Sequence, residues 1–297
     1  MREWGGLKTN AHFTHTNALT PLSLWCMAPT HLASRPALLA VSGLSAFSGR
    51  RALTKLQHRR PPPPTTRSPT AMEAAPPASR PGRSMDDHAA TGAKLFAAAA
   101  DRNKEPILSV LKAWLPGAGG RILEVASGTG QHAAFMAAAL GPAWVCWQPT
   151  DADPTCLGSI AAHAADCETV SPPVALDVAA AGLGGWPQAP GGWDAVFAAN
   201  LTHISPWAAT AGLLAGAAAT LRPGGRLILY GPFAVDGAPA TPSDAAFDAS
   251  LRSTNLAWGY RDWAGEVVPA AASAGLAWLT TLPMPANNFT LVFEKRE

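Results

Sequence analysis

From about residue 88 the hydrophobic pattern switches repeatedly between a helical period and short continuous apolar runs. That alternation is the pattern of an α/β domain with a mostly parallel sheet. Ile107, Leu108, Leu111, Trp114 and Leu115 share one helical face, with Asn103 as the expected cap and Glu105 and Pro106 in the first turn. Gly117, Gly119 and Gly120 end that helix. Residues 121–126 read as a first strand, opening into a glycine turn and an Ala-rich helix to Leu140. Residues 144–150 read as a second strand, and Pro154 begins a helix to about Asp166. Strands are expected at 174–178 and 193–199, and Pro206 suits the first turn of a helix to Leu221. Pro223-Gly224-Gly225 then turns the chain into a strand over 226–230. Ser243 or Asp244 is expected to cap a helix through Leu251, and a last helix covers about 262–274. Residues 276–282 and 289–294 close the series as an antiparallel pair.

Before residue 86 the pattern is lost. This stretch is rich in Ala, Ser, Thr, Arg and Pro, with a run from Pro61 to Pro64, and cannot bury enough apolar surface to offset its ordering entropy. It is expected to be a disordered basic leader over 1–85, preceding a folded domain over 86–297. Arg-rich, Ser-rich and acid-poor composition is that of an organelle transit peptide, which implies a plastid or mitochondrion. The alternative is a chain that starts at Met72 or Met85 and stays in the cytoplasm.

Charge divides the same way. Residues 1–85 hold 11 of the 22 Lys and Arg against Glu3 and Glu73, a net of +9, whereas residues 86–297 carry a net of −7. An acidic domain argues against a nucleic-acid partner. Apolar residues make up 48% of the chain and charged residues 14%, enough for a sizeable core. The longest apolar stretch, from Pro36 to Phe47, is too short to span a bilayer, so a soluble protein without a membrane partner is expected. Cys26, Cys146, Cys156 and Cys167 form no CxxC pair, which points to neither a zinc site nor a disulfide framework.

The candidate chemistry begins at Glu124-Val-Ala-Ser-Gly-Thr-Gly130, at a strand-to-helix junction. Gly128 and Gly130 allow close backbone approach to a ligand and free N–H groups at a helix start. With Ala133 they satisfy a G-x-G-x-x-A dinucleotide pattern, a weak signal alone. Asp151 follows at the end of the second strand, where a carboxylate accepts both hydroxyl protons of a ribose. Asp151 and Asp153 also suit simple turn-making before Pro154. A nicotinamide cofactor and S-adenosylmethionine both remain open on this pair of signals. Glu124, two residues before the turn, repels a pyrophosphate but suits the ammonium of a methionine moiety. Asp177 is placed either to meet an adenine amino group or to end a surface turn. These features favour S-adenosylmethionine.

Asp101-Arg-Asn-Lys-Glu-Pro-Ile-Leu108, Leu123 to Ala133, Trp147-Gln-Pro-Thr-Asp151 and Asn200-Leu-Thr-His-Ile-Ser-Pro206 resemble the methyltransferase-like protein 26 family. So do Tyr230-Gly-Pro-Phe233, Phe247 to Arg252, Trp258 to Asp262 and Met284 to Asn288, so that the likeness spans about 90–295. Asp244, where the family usually has Asn, and Leu256-Ala257, in place of a Pro-Glu pair, depart from it. The resemblance implies a Rossmann-like class I methyltransferase fold, with a mostly parallel seven-stranded sheet and a C-terminal antiparallel hairpin. It assigns Ala126, Ser127, Gly128 and Gly130 to the methionine part and ribose of S-adenosylmethionine, Asp151 to the ribose, Asp177 and Val178 to the adenine, and Asn200 to the cofactor side of the fourth strand. It supplies no substrate.

Methyl transfer needs an acceptor held in line with the sulfonium, and a base only where the acceptor must lose a proton. His203 is the candidate base, with a neutral histidine bonded to backbone as the other reading. Tyr230 is the candidate floor of an acceptor pocket, with core packing as the other. Asp248 and Arg252 are spaced for a helix ion pair. Arg261 and Asp262 suit a helix cap, Trp258 either a pocket cover or core, and Asn287-Asn288 either the hairpin turn or a reach into the site. The reading is a methyltransferase acting on a small-molecule acceptor, with a protein acceptor open. Its rivals are an NAD(P)-dependent oxidoreductase and a non-catalytic adaptor that keeps the cofactor site.

Overall fold

The computed structural model describes residues 89–91 and 93–297, so the expected leader lies outside the described residues. The strands are β1 (Ala89–Thr91), β2 (Lys94–Phe96), β3 (Arg121–Val125), β4 (Cys146–Asp151), β5 (Val174–Ala175), β6 (Trp193–Ala199), β7 (Leu221–Pro232), β8 (Leu276–Met284) and β9 (Asn288–Lys295). The helices are α1 (Ala98–Trp114), α2 (Gln131–Leu140), α3 (Pro154–His163), α4 (Trp207–Thr220), α5 (Pro242–Thr254) and α6 (Val268–Ser273). β3 to β9 form one seven-stranded sheet in the order β5-β4-β3-β6-β7-β9-β8. Pairing is parallel from β5 through β7 and antiparallel from β7 to β9 and from β9 to β8. The expected C-terminal hairpin is thus present, and its second strand inserts between β7 and β8.

The central strands are apolar on both faces because helices cover both faces. Leu123, Val125, Val196, Ala198, Leu227 and Leu229 pack against Leu213, Leu214 and Ala217 of α4. Their alternate neighbours Ile122, Ala195, Phe197, Ile228 and Tyr230 pack against Ile107 and Leu111 of α1 and Met136 of α2. At the amino end of the sheet Asp194 accepts from Arg121 N at 2.8 Å and from Arg222 Nε at 2.6 Å, joining β3, β6 and β7.

Several boundaries differ from the sequence pattern. α1 begins at Ala98, so Asn103 is no cap but a buried position in the helix interior, and Pro106 lies inside the helix. Asn103 continues the stripe of Ile107 and Leu111 at four-residue spacing, which carries the helix upstream of it. The cap of α5 is Thr241 rather than Ser243 or Asp244: its side chain accepts from Asp244 N, and Pro242 takes the first turn. Pro206 is itself the cap residue of α4. The last helix is split into a π-helical turn, Trp263–Val267, and α6, and the Asp262 carboxylate caps its start by accepting from Ala264 N and Gly265 N. β7 starts at Leu221, upstream of the expected turn.

The β1–β2 hairpin carries no periodic signal. It docks on α3, with Leu95 N donating to Ser159 Oγ at 2.9 Å and Leu95 O meeting His163 Nε2 at 2.8 Å. Among the described residues no helix is long and apolar enough to cross a membrane. Asp194→Ala removes a charged acceptor that serves three strands. The expected loss is on the order of 2–3 kcal/mol in denaturant unfolding, with the fold retained.

Candidate functional site

The registers align the carboxyl ends of four parallel strands. Val125 is opposite both Thr150 and Ala198, and Ala199 is opposite Tyr230. The segments that follow, Ala126–Gly130, Asp151–Asp153, Asn200–Ser205 and Gly231–Phe233, therefore lie along one edge, where open α/β sheets bind ligands.

Left-handed backbone recurs there. Ala126 and Asn200, non-glycine residues ending β3 and β6, have φ of 56° and 60°. Such conformations cost about 1 kcal/mol or more for alanine and gather at functional sites. Gly128 and Gly130 have φ of 57° and 87° but serve different ends. A Cβ on Gly128 meets nothing within 4 Å, so the space above it is open to a ligand. A Cβ on Gly130 lies 2.5 Å from the Ile160 Cα, so this glycine exists for close packing of α3.

Asp151 closes the turn. One carboxylate oxygen accepts from Gly128 N at 2.8 Å and the other from Asp153 N at 2.9 Å. Burial raises the affinity of this carboxyl for its proton, and the two backbone donors work against that rise. Each oxygen keeps a lone pair for a further donor. Ser127 N donates to Thr150 O at 2.8 Å, so the turn is bonded to β4 as well.

Glu124 is fully buried and accepts from the indole Nε1 of Trp147 at 2.9 Å. This partner escaped the sequence reading, although Trp147 lies opposite Ile122 on the neighbouring strand. Burial pushes the Glu124 carboxyl up to about 7, against the indole bond. Asp177 is exposed and accepts from Ala179 N at 2.9 Å, the arrangement of a turn acid. The Val178 side chain is in the core, and its carbonyl is so close to α4 that a Cβ on Gly212 would lie 1.8 Å from it.

Asn200 N donates to Tyr230 O at 2.8 Å, fixing the β6 exit against β7. His203 is buried, and its Nδ1 has no partner. Burial first, and the Arg261 charge second, push its pKa down to about 3, so it is neutral at physiological pH. The ring meets Phe247 and Tyr260 with centroids at 6.1 and 6.4 Å. Arg261 is not a helix cap. It donates to Thr202 O at 3.2 Å, Ser205 O at 2.8 Å and Ala257 O at 2.7 Å, clamping the His203 loop onto the segment after α5. Trp258 packs partly buried beside Tyr260 and Leu251. Asp248 and Arg252 form the expected ion pair at 2.8 Å. Asn287 takes the turn role, with φ of 57°, and donates to Asp244 Oδ2 of α5 at 3.1 Å.

The profile of one protein family matches residues 94–295, most of the chain and nearly all of its described part. The chain belongs to the family described as "Protein of unknown function (DUF938)". Among solved structures, this DUF938 chain is similar to an O-methyltransferase family protein from Burkholderia thailandensis. The TM-score is 0.55 at 17% identity, over 67% of this chain and 58% of that one. An O-methyltransferase family 2 protein from Planctomyces limnophilus in complex with apigenin gives a TM-score of 0.51 at 21% identity, over 65% and 61%. Human N-acetylserotonin methyltransferase in complex with SAM gives 0.54 at 14% identity, over 67% and 53%. The fold of the DUF938 chain is therefore the Rossmann-like methyltransferase fold. The match spans little more than half the length of each of these proteins.

The two glycines separate by stability. Gly130→Ala adds a backbone clash to a left-handed φ and is expected to cost about 2–5 kcal/mol, whereas Gly128→Ala costs about 1–2 kcal/mol, read from denaturant midpoints. Glu124 gives a pH signature. Its folded pKa of about 7 exceeds its ordinary 4.5, so the native state holds this proton more tightly than the unfolded chain. The stability contribution is full below about pH 4.5 and is lost as pH rises through 7, by on the order of 3 kcal/mol. Glu124→Gln, which keeps an acceptor for Trp147, is expected to flatten that fall in urea titrations across pH 4–8.

Proposed function

We propose that the chain is an S-adenosylmethionine-dependent methyltransferase acting on a small molecule, from a branch close to methyltransferase-like protein 26. The single observation that carries the reading is the turn at Gly128. Its backbone approaches open space while the adjoining Asp151 carboxylate stays anchored by two backbone donors and keeps lone pairs for ribose hydroxyls. Glu124 and Asp151 lie close enough for the Asp151 charge to raise the Glu124 pKa, a pairing that repels a pyrophosphate and suits a cationic cofactor. The antiparallel β9 inserted beside β7 supports the same choice over a nicotinamide enzyme, since the dinucleotide fold is a mostly parallel sheet. Similar folds in complex with SAM and with apigenin support a small acceptor.

The bound cofactor supplies an electrophilic methyl on sulfonium. The chain's own task is to bind, orient and exclude water. Gly128 and Ser127 would form the floor on one side and Asp151 would hold the ribose, with Asp177 two residues past β5. Asn200, held left-handed with its N–H on Tyr230 O, lies at the same edge. His203 serves as a neutral hydrogen-bonding partner for the acceptor rather than a general base, because a pKa of about 3 leaves it no hold on an abstracted proton near neutrality. Arg261 fixes the loop that carries it. An acceptor that is already nucleophilic needs no more than this.

Calorimetric titration of the full chain is expected to show micromolar binding of S-adenosylmethionine and none of NAD. Asp151→Asn, which loses the charged acceptor, should weaken binding by about 10–100-fold, since each tenfold is about 1.4 kcal/mol. NAD binding instead would establish the oxidoreductase. A folded sample that binds neither would favour the adaptor.

A further inference from the structure

Gly231 has no local reason to be glycine. It pairs with Phe289 inside the β7–β9 ladder, and its φ lies outside the left-handed region. Glycine in a strand interior is destabilising relative to alanine, and its presence often marks the close approach of another group. Packing does not demand it either. A Cβ on Gly231 would meet its nearest atom, His203 Nδ1, at 3.5 Å, and then Asn200 Cα and His203 Cε1 at 3.8 Å. These are ordinary contacts, so the chain leaves a space there large enough for a carbon.

That space adjoins a polar atom in need of a partner. His203 Nδ1 is buried and unbonded, and a buried nitrogen costs free energy until something bonds it. Elsewhere the ring is packed: Phe247 and Tyr260 lie against it and against each other, the two at a centroid distance of 6.1 Å. The loop is fixed as well. His203 O accepts from Gly259 N at 2.9 Å, and Arg261 holds Thr202 O and Ser205 O on either side. Charge does not suit this spot. The Arg261 guanidinium is taken up by three carbonyls, and Asp248, which accepts from Tyr260 N at 2.6 Å, is paired with Arg252. An ammonium or carboxylate buried against a neutral ring costs more than one hydrogen bond returns. A hydroxyl both donates and accepts, so it bonds either tautomer of the imidazole.

Resting on the methyltransferase reading, we propose that the space beside Gly231 is a subsite for the methyl acceptor, in which an uncharged hydroxyl bonds to His203 Nδ1. Gly231 sets specificity by leaving room for that group. The residue follows Tyr230, whose carbonyl accepts from Asn200 N, so the subsite belongs to the same strand-end edge as the glycine turn, with β6 between them. His203 has no hold on an abstracted proton near neutrality, so the hydroxyl is a handle and not the atom that is methylated.

Butan-1-ol, butylammonium and butyrate are probes of one chain length that differ in the head group. ¹⁵N-histidine labelling of the full chain, with the His203 ring resonances assigned by their loss in His203→Gln, reads contact at Nδ1 directly. With S-adenosylhomocysteine present, butan-1-ol is expected to move the His203 Nδ1 resonance saturably, and the two charged probes to leave it in place. Gly231→Ala, which fills the space, should abolish the butan-1-ol response. The same variant should still bind S-adenosylhomocysteine in calorimetry and melt no lower than the wild type, since its φ suits alanine. A response that persists in Gly231→Ala, an equal response to the charged probes, no response in the wild type, or loss of S-adenosylhomocysteine binding in Gly231→Ala overturns this inference alone. Failure of the wild type to bind S-adenosylhomocysteine overturns the methyltransferase reading and this inference with it.

Discussion

The Asp151 carboxylate bonded to the Gly128 N–H is the contact on which the candidate site depends. A glycine turn with left-handed backbone has no intrinsic reason to hold one conformation, because glycine loses the most conformational freedom on folding. A carboxylate buried at a strand end has no reason to stay charged unless donors surround it. Each problem is solved by the other. The same seam is reinforced from Ser127 N to Thr150 O and from the Thr150 hydroxyl to Glu124 O at 2.8 Å. β3 and β4 are thereby joined through side chains and turn as well as through their ladder, and the open space above Gly128 has a rigid rim.

Acidic groups shape the rest of the site. Glu124 is satisfied by an indole and raised in pKa, so at neutral pH it sits near the balance between its charged and neutral forms. A ligand that brings a positive charge tips that balance toward the carboxylate, and the charge it brings is matched where it is bound. In the loop after β6, His203 is held unprotonated by burial, and its ring lies against Phe247 and Tyr260.

The amino-terminal elements give the site its outer wall. α1 covers one face of the sheet with Ile107 and Leu111, and the β1–β2 hairpin holds on to α3 through backbone groups of Leu95. Opposite, Arg261 spans three carbonyls and lies over the Trp207 ring at 5.9 Å. At the aligned strand ends lie the left-handed Ala126 and Asn200 and the unpartnered Nδ1 of His203.

Local spacing alone determined the βα series, the glycine turn and the closing hairpin, because period and turn chemistry act over a few residues. The pairing of Gly128 with Asp151 was legible as two separate signals for the same reason. Asn103 was misread, since a polar residue before Pro106 looks like a cap until its place on the stripe of Ile107 and Leu111 is followed upstream. Only the tertiary structure decided which polar side chains are partners. Glu124 and Trp147, Asn103 and His132, and Arg261 and the His203 loop are far apart in sequence or on different elements. Only strand registers and helix packing bring them together. Tertiary contact likewise separated Gly128, which faces open space, from Gly130, which faces a helix, because a glycine's sequence neighbours do not show what its missing side chain would meet.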